Sequence, residues 1–368
     1  MSFYNEIERH GGFDFDSFFT GVTSNQIDTI LEKEQLTKND FLALLSPAAS
    51  GYLEQMAQKA QGLTRQYFGP TIQLFIPLYI SNFCANECVY CGFHRGNNIQ
   101  RKKLSLAEIE VEAKAIAATG MRHILILTGE APAITPMEYL EDTVRLLRRY
   151  FASVSIEIFP MDQNDYHRLK LAGVDGLTIY QEAYDEERYA LVHKAGRKTD
   201  FRYRLDAPER GAKAGFRSVN IGPLLGLGAI RSEVFFAGLH ARYLNDTFLE
   251  TEISLSLPRM NPAEGDYNAE FVADDRTFVQ CMTALRCFLP RVGMTVSTRE
   301  SSDFRDRLIR LGATKFSAGS CTGVGGYGEV QGTGTPQFEI TDGRDVDEVV
   351  MAIRNAGYQP VYKDWDQF

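Results

Sequence analysis

The sequence has little of what marks a secreted, membrane-embedded or nucleic-acid-binding protein. Its 368 residues contain six cysteines, which is too few for a disulfide scaffold. No apolar run approaches the roughly 18 residues that a membrane span requires, and the opening MSFYNEIERHGGFDFD lacks the apolar core of a secretory signal. Basic residues number 39 against 48 acidic ones, a formal net charge of -9 that argues against a nucleic-acid partner. We therefore expect a cytoplasmic protein with neither a nucleic-acid nor a membrane partner.

The chain instead carries the alternating pattern of an α/β protein. Amphipathic stretches separate eight apolar runs, which are 71–80, 122–128, 153–159, 175–180, 217–222, 251–257, 292–298 and 314–318. Near-continuous apolar strands indicate a parallel sheet with helices on both faces, and eight such units predict a (β/α)8 TIM-type barrel. The spacing of apolar residues over 26–68 predicts two helices. We predict a helical N-terminal extension over 1–70 and a barrel with a C-terminal closing segment over 71–368.

Three of the six cysteines, Cys84, Cys88 and Cys91, lie within eight residues directly after the first predicted strand. Three thiolates on one short loop form a ligand set for a soft or borderline metal centre. One interpretation is an iron–sulfur cluster, which normally has four cysteine ligands and would keep one iron open here. The alternative is a zinc-stabilised binding module, in which His94 completes a Cys3His set.

Polar motifs follow several of the predicted strands. They are TGE (128–130) after the second strand, YQE (180–182) after the fourth, STRE (297–300) at the seventh and SAGS (317–320) at the eighth. Active residues of such barrels lie at the carboxyl ends of the strands, so these motifs are expected to converge on one site. Glu130 and Glu182, together with the strand-end Arg204 and Arg299, would suit a zwitterionic substrate. The alternatives are interior ion pairs, for Arg299 with Glu300 or Asp303.

The segment CANECVYC, with three cysteines spaced CxxxCxxC and Tyr90 before the last, resembles the signature of radical S-adenosylmethionine enzymes. The resemblance implies that Cys84, Cys88 and Cys91 bind a [4Fe–4S] cluster. It also implies that the open iron binds the methionine part of S-adenosylmethionine. One-electron cleavage of the sulfonium would then yield a 5′-deoxyadenosyl radical.

A longer resemblance, from about residue 40 to the end, connects the chain with the tyrosine lyases of thiamine thiazole biosynthesis. The stretches that carry it are LALLSPAASGYLEQMAQKAQGLTRQYFGPTI, PLYISNFCANECVYCGF, LTGE, YQEAY, STRESSDFRDR and VYKDWD. The resemblance implies that hydrogen abstraction from the amine of L-tyrosine leads to Cα–Cβ cleavage into p-cresol and 2-iminoacetate (dehydroglycine). A thiazole synthase would consume the 2-iminoacetate, and a flavodoxin or ferredoxin would supply the electron. A radical lyase of another aromatic amino acid is the alternative.

The same resemblance implies roles for further residues. Tyr90 and the segment Thr128, Gly129 and Glu130 would contact S-adenosylmethionine, although Thr128 replaces the first glycine of the usual GGE form. Glu182 and Arg204 would also contact S-adenosylmethionine. Arg299 would hold the carboxylate of the amino-acid substrate, and Ser317 or Ser320 would be the contact from the eighth strand.

Overall fold

The structure, a computed structural model, describes residues 2–328 and 334–363. Most of the KDWD stretch (363–366), which carries part of the resemblance, therefore lies outside the described residues. No helix in these two described ranges has both the length and the apolarity to cross a membrane.

The chain begins with helices that pack against one side of a barrel. They are α1 (Tyr4–Arg9), α2 (Phe15–Thr20), α3 (Ser24–Glu32), α4 (Lys38–Leu44), a 3-10 helix (Pro47–Tyr52) and α5 (Leu53–Phe68). The prediction of two helices over 26–68 was too coarse. Pro47 begins a separate 3-10 helix there, because proline has no N–H to continue α4. Phe41 of α4 and Met56 of α5 are fully buried in the same core as the barrel strands.

Eight parallel strands close into the predicted barrel. They are β1 (Thr71–Ser81), β2 (His123–Thr128), β3 (Ser153–Glu157), β4 (Gly176–Thr178), β5 (Ser218–Ile221), β6 (Glu252–Ser256), β7 (Gly293–Val296) and β8 (Lys315–Ser317). Neighbours in sequence are neighbours in the sheet, and β1 pairs with both β2 and β8, which closes the ring. The (β/α)8 fold is thus confirmed.

Helices cover the outside of the ring. They are α6 (Leu106–Ala118), α7 (Met137–Leu147), α8 (Gln163–Ala172), α9 (Glu186–Val192), α10 (Phe201–Leu205), α11 (Ala207–Lys213), α12 (Ile230–Thr247), α13 (Asp275–Phe288), α14 (Ser302–Leu308) and α15 (Val346–Asn355). Local sequence starts several of them: Ser105 and Glu108 form a capping box at α6, and Asp345 and Glu348 form one at α15.

A ninth strand, β9 (Gln359–Val361), lies outside the ring and pairs in parallel with the first residues of β1. The sequence pattern did not predict it, because three residues are too few to show a periodicity. The division into an extension over 1–70 and a barrel over 71–368 remains a prediction.

Candidate active site

The loop that follows β1 carries Cys84, Cys88 and Cys91 to the carboxyl end of the barrel. Backbone hydrogen bonds fix it on two sides. The N–H of Ala85 donates to the carbonyl of Glu130 at 2.8 Å, and the N–H of Val89 donates to the carbonyl of Val192 at 3.0 Å. The loop is therefore held between the turn after β2 and the end of α9.

The side chain of Arg101 also holds this loop in place, through hydrogen bonds to its backbone. Its guanidinium donates to the carbonyl oxygens of Asn82 at 2.7 Å, Phe93 at 3.0 Å and His94 at 2.7 Å, which lie on both sides of the three cysteines. Charged donors to carbonyl oxygens are stronger than neutral ones. This role could not be predicted from the sequence, because Arg101 lies in a stretch without a motif.

The surroundings of the three thiols suit an anionic metal centre. Burial raises the pKa of Cys88 to about 12 and also raises the pKa of Cys91, while the positive charge of Lys198 opposes both shifts. The side-chain amide of Gln337 lies 3.7 Å from the sulfur of Cys91. Thiolates form in such a buried place only with a compensating positive charge, which a metal centre supplies.

The alternative zinc site is not assembled. The Nδ1 atom of His94 accepts a hydrogen bond from the N–H of Gly96 at 2.9 Å. Within the residues that the structure describes, no three His, Cys, Asp or Glu side chains are gathered around a point that could hold one metal ion. Cysteine thiolates are the usual ligands of iron–sulfur clusters, so the chemistry of this donor set, three cysteines on one loop, fits the [4Fe–4S] group.

The TGE segment after β2 packs directly against the cysteine loop. A Cβ on Gly129 would clash with the carbonyl oxygen of Phe83 and stand 3.0 Å from the Cβ of Cys84, so the close approach requires glycine. The hydroxyl of Thr128 donates to the carbonyl of Gly129 at 2.7 Å. Glu130 is buried and accepts a hydrogen bond from the amide of Asn86 at 2.6 Å. The Glu130 carboxylate therefore orients the cysteine loop.

Glu182, which follows β4, lies in a cluster of charges. It has φ 73°, the one left-handed backbone among the described non-glycine residues. Its carboxylate lies 2.6 Å from Nζ of Lys198 and 3.5 Å from the guanidinium of Arg204. Burial raises the pKa of Glu182, but the two cations outweigh it and hold that pKa at about 2. The predicted pair of Glu182 and Arg204 is thus brought together, and Lys198 is an addition that the sequence did not reveal.

Tyr90, which precedes Cys91 in the cysteine loop, packs against His193. The Tyr90 hydroxyl lies 2.8 Å from Nε2 of His193, and Nδ1 of the same ring lies 2.8 Å from the carbonyl of Tyr189. Burial lowers the pKa of His193 to about 3, so the ring is neutral. A neutral ring that donates from Nδ1 to a carbonyl accepts at Nε2, so the hydroxyl of Tyr90 donates there.

Arg299, which follows β7, is half-buried and has no carboxylate partner among the described residues. Its guanidinium lies 3.4 Å from the centre of the Phe338 ring and 3.4 Å from the carbonyl of Arg259. The alternative ion pair with Glu300 was wrong, because Glu300 binds Arg259 at 3.0 Å. Burial lowers the pKa of Arg299, as expected for a cation in an interior cavity.

The two candidate serines after β8 differ in their partners. The Ser317 oxygen accepts a hydrogen bond from the N–H of Thr298 at 3.1 Å, so it has a structural role. The Ser320 oxygen is buried, and no described group hydrogen-bonds to it. Of the two, Ser320 has the free hydroxyl.

One cavity inside the barrel joins these groups. The predicted residues that line it are Tyr90, Cys91, Glu182, Arg299, Ser317 and Ser320. The remaining predicted residues, Cys84, Cys88, Thr128, Gly129, Glu130 and Arg204, are not among its lining but lie around the cysteine loop and Glu182. The cavity is also lined by Tyr180 of the predicted YQE motif, and by residues that sequence reasoning missed, among them Tyr79, Glu157, Lys198, Gln337 and Phe338. A signal existed for Glu157, which ends the strand SVSIE as its one charged residue.

Comparisons with known proteins agree with this arrangement. Residues 78–234 match the Radical SAM superfamily, and residues 256–359 match the Biotin and Thiamin Synthesis associated domain. The chain is 42% identical over 349 residues to the 2-iminoacetate synthase of Escherichia coli (strain K12), covering 95% of this chain and 92% of the relative. It is 40% identical over 349 residues to the 2-iminoacetate synthase of Salmonella typhimurium, with the same coverage.

A solved structure has the same fold. The crystal structure of HydG, a maturase of the [FeFe]-hydrogenase, superposes with a TM-score of 0.89 at 31% identity. The alignment covers 95% of this chain and 79% of HydG.

Proposed function

This chain belongs to the 2-iminoacetate synthases of the Radical SAM superfamily, and from that membership we propose how its barrel performs the reaction. The reaction is cleavage of the Cα–Cβ bond of L-tyrosine into 2-iminoacetate and p-cresol for thiamine thiazole biosynthesis. One observation carries the proposal. Cys91 of the three-cysteine loop, the charge cluster of Glu182, and Arg299, which has no carboxylate partner among the described residues, all line one cavity.

The residues divide into a cofactor side and a substrate side. Cys84, Cys88 and Cys91 would hold the [4Fe–4S] cluster. The chemistry that this group would supply when bound, with S-adenosylmethionine, is a 5′-deoxyadenosyl radical. Glu182 and Arg204 bind the polar groups of S-adenosylmethionine, and the segment from Thr128 to Glu130 lines its place beside the cysteine loop.

On the substrate side, Arg299 binds the carboxylate of L-tyrosine. A half-buried guanidinium that lines the cavity and has no carboxylate partner among the described residues is suited to a carboxylate ligand, because its planar donors match both oxygens. Ser320 donates the hydrogen bond that its free hydroxyl can still form. The apolar wall of Pro77, Leu125 and Leu127 packs against the aromatic ring and keeps water from it.

Two partners complete the proposal. A thiazole synthase takes up 2-iminoacetate, because an imine hydrolyses in water and benefits from immediate use. A flavodoxin or a ferredoxin donates the electron. The match of residues 256–359 to a domain associated with thiamin synthesis supports the first of these.

The test is a product assay without oxygen. Protein reconstituted with iron and sulfide is incubated with a reductant, S-adenosylmethionine and L-tyrosine, and p-cresol and 5′-deoxyadenosine are measured. We expect both products, and neither from a Cys88→Ser variant. Deoxyadenosine without p-cresol would reject tyrosine as the substrate. Faster cleavage of L-tryptophan would point to another aromatic amino acid.

A further inference from the structure

Two opposite charges face the barrel cavity without forming an ion pair. Arg299 follows the end of β7, Glu157 ends β3, and both line the same cavity. Each influences the ionisation of the other, so they lie within electrostatic reach. The described residues nevertheless include no salt bridge or hydrogen bond between them. A gap therefore separates a guanidinium from a carboxylate.

The other acids around the mouth of the barrel are already engaged. Glu130 accepts from Asn86, Glu182 lies against Lys198 and Arg204, and Glu300 binds Arg259. The side chain of Glu157 has no hydrogen-bond partner among the described residues. Among the described acids that we compare here, Glu157 is therefore the one that remains available to bind a ligand.

The environment of Glu157 makes an unpartnered carboxylate costly. Burial raises the pKa of Glu157 to about 7, against the opposing charge of Arg299. In register across the sheet, Glu157 stands beside Leu127, and Leu127 stands beside Tyr79. At these positions, the neighbouring strand β2 and the next strand β1 offer it no cation. A positively charged ligand group would remove this cost, because a buried charge is tolerated when it is paired and hydrogen-bonded.

The position of Glu157 relative to Arg299 indicates which ligand group this is. In an amino acid, one carbon atom separates the ammonium group from the carboxylate, whereas the phenol oxygen of tyrosine lies beyond the ring. In the strand order of the ring, β3 lies opposite β7, so Glu157 at the end of β3 faces the cavity from the side opposite Arg299. A carboxylate held by Arg299 therefore places the ammonium group on the Glu157 side.

We propose that Glu157 accepts a hydrogen bond from the α-ammonium group of the substrate, so that Arg299 and Glu157 together recognise the zwitterion. This inference rests on the proposed function and adds the residue that holds the amine. It also explains why a carboxylate lines an interior strand end that otherwise carries leucine and tyrosine.

The experiment compares ligands that lack one group each. The reconstituted holoenzyme with S-adenosylmethionine, and its Glu157→Gln variant, are titrated by equilibrium dialysis without oxygen. The ligands are L-tyrosine, L-phenylalanine, which lacks the hydroxyl, and 3-(4-hydroxyphenyl)propanoate, which lacks the amino group. We expect the variant to bind both amino acids about 10- to 100-fold more weakly, as for loss of a charged hydrogen bond. It should bind the propanoate as well as the wild type or better.

The control is Glu141→Gln on α7, where Glu141 pairs with Arg168 on the outer surface, and it should change none of these affinities. Equal weakening of all three ligands by Glu157→Gln, or an equal loss of S-adenosylmethionine binding, would make Glu157 structural. Weakening confined to the two ligands with a hydroxyl would assign it to the phenol. Either result, in a wild type that still makes p-cresol, overturns this inference alone. A wild type without p-cresol overturns the proposed function.

Discussion

Arg299 lines the cavity as a half-buried cation with no acidic partner among the described residues, and this combination leads to a prediction. Replacement by alanine removes the guanidinium that we assign to the substrate carboxylate. We expect Arg299→Ala to weaken L-tyrosine binding about 10- to 100-fold, the loss typical of a charged hydrogen bond. S-adenosylmethionine binding should change little. Equilibrium dialysis with each ligand measures both, and equal losses would make Arg299 a structural residue.

The two serines after β8 permit a matched comparison. Ser320→Ala should weaken tyrosine binding about 3- to 10-fold, the value of a neutral hydrogen bond. It should not lower the melting temperature, because no described group hydrogen-bonds to its oxygen. Ser317→Ala should lower the melting temperature instead, since it leaves the buried N–H of Thr298 without its acceptor. If Ser317→Ala weakened tyrosine binding and Ser320→Ala lowered the melting temperature, Ser317 would be the residue that contacts the substrate.

The cysteine loop depends on an arginine that is ten residues beyond its last cysteine. Arg101 binds three backbone carbonyls of that loop, and its loss should cost about 2–3 kcal/mol of loop stability. We expect Arg101→Ala to retain several-fold less iron per chain after desalting. Iron and sulfide analysis measures this.

Arg95→Ala is the control for that experiment. Arg95 lies in the same loop, but its exposed side chain pairs with Glu87 at the surface, where an ion pair contributes little. Iron content that falls equally in both variants would mean that any charge near the loop matters, and not the carbonyl contacts of Arg101.

A residue on an outer helix, Glu233 of α12, helps to position Glu182 in the loop after β4. Glu233, on α12, accepts hydrogen bonds from the N–H groups of Tyr184 at 2.5 Å and Asp185 at 3.2 Å. The N–H of Leu224 donates to the carbonyl of Glu182 at 2.8 Å. These bonds hold the left-handed backbone of Glu182, which would otherwise be strained.

For the molecule as a whole, a buried histidine makes stability depend on pH. Burial lowers the pKa of His240 from 6.5 to about 3, and its ring stacks on Phe3 at 4.3 Å. A lowered histidine pKa contributes stability that is present above pH 6.5 and is lost as the pH falls toward 3. At pH 5 the loss should be about 2 kcal/mol.

The measurement is the melting temperature of the holoenzyme at pH 7.5 and pH 5. His240→Gln should melt lower than the wild type at pH 7.5, because packing on Phe3 is lost. Between pH 7.5 and pH 5, the melting temperature of the variant should then fall less than that of the wild type. The exposed His167→Gln is the control and should follow the wild type at both pH values. A variant that loses as much as the wild type on acidification would show that other groups set the acid sensitivity.

Sequence patterns were most informative where burial is repetitive. All eight barrel strands were predicted, because strands covered on both faces are almost continuously apolar. The short helices α9, α10 and α11 were missed, since five to seven residues hardly show a 3.6-residue period. The strand ends were correctly identified as the location of the polar residues, because parallel strands all point their carboxyl ends to one side.

The sequence by itself determined the barrel, the three-cysteine loop and the family, because these depend on local spacing and on runs of apolar residues. Only the tertiary structure decided which charged groups are satisfied and which are free. It paired Glu130 with Asn86, Glu182 with Lys198 and Glu300 with Arg259, and it left Arg299 and Glu157 facing a cavity. The physical reason is that pairing between charges depends on distances between loops that lie far apart in the chain.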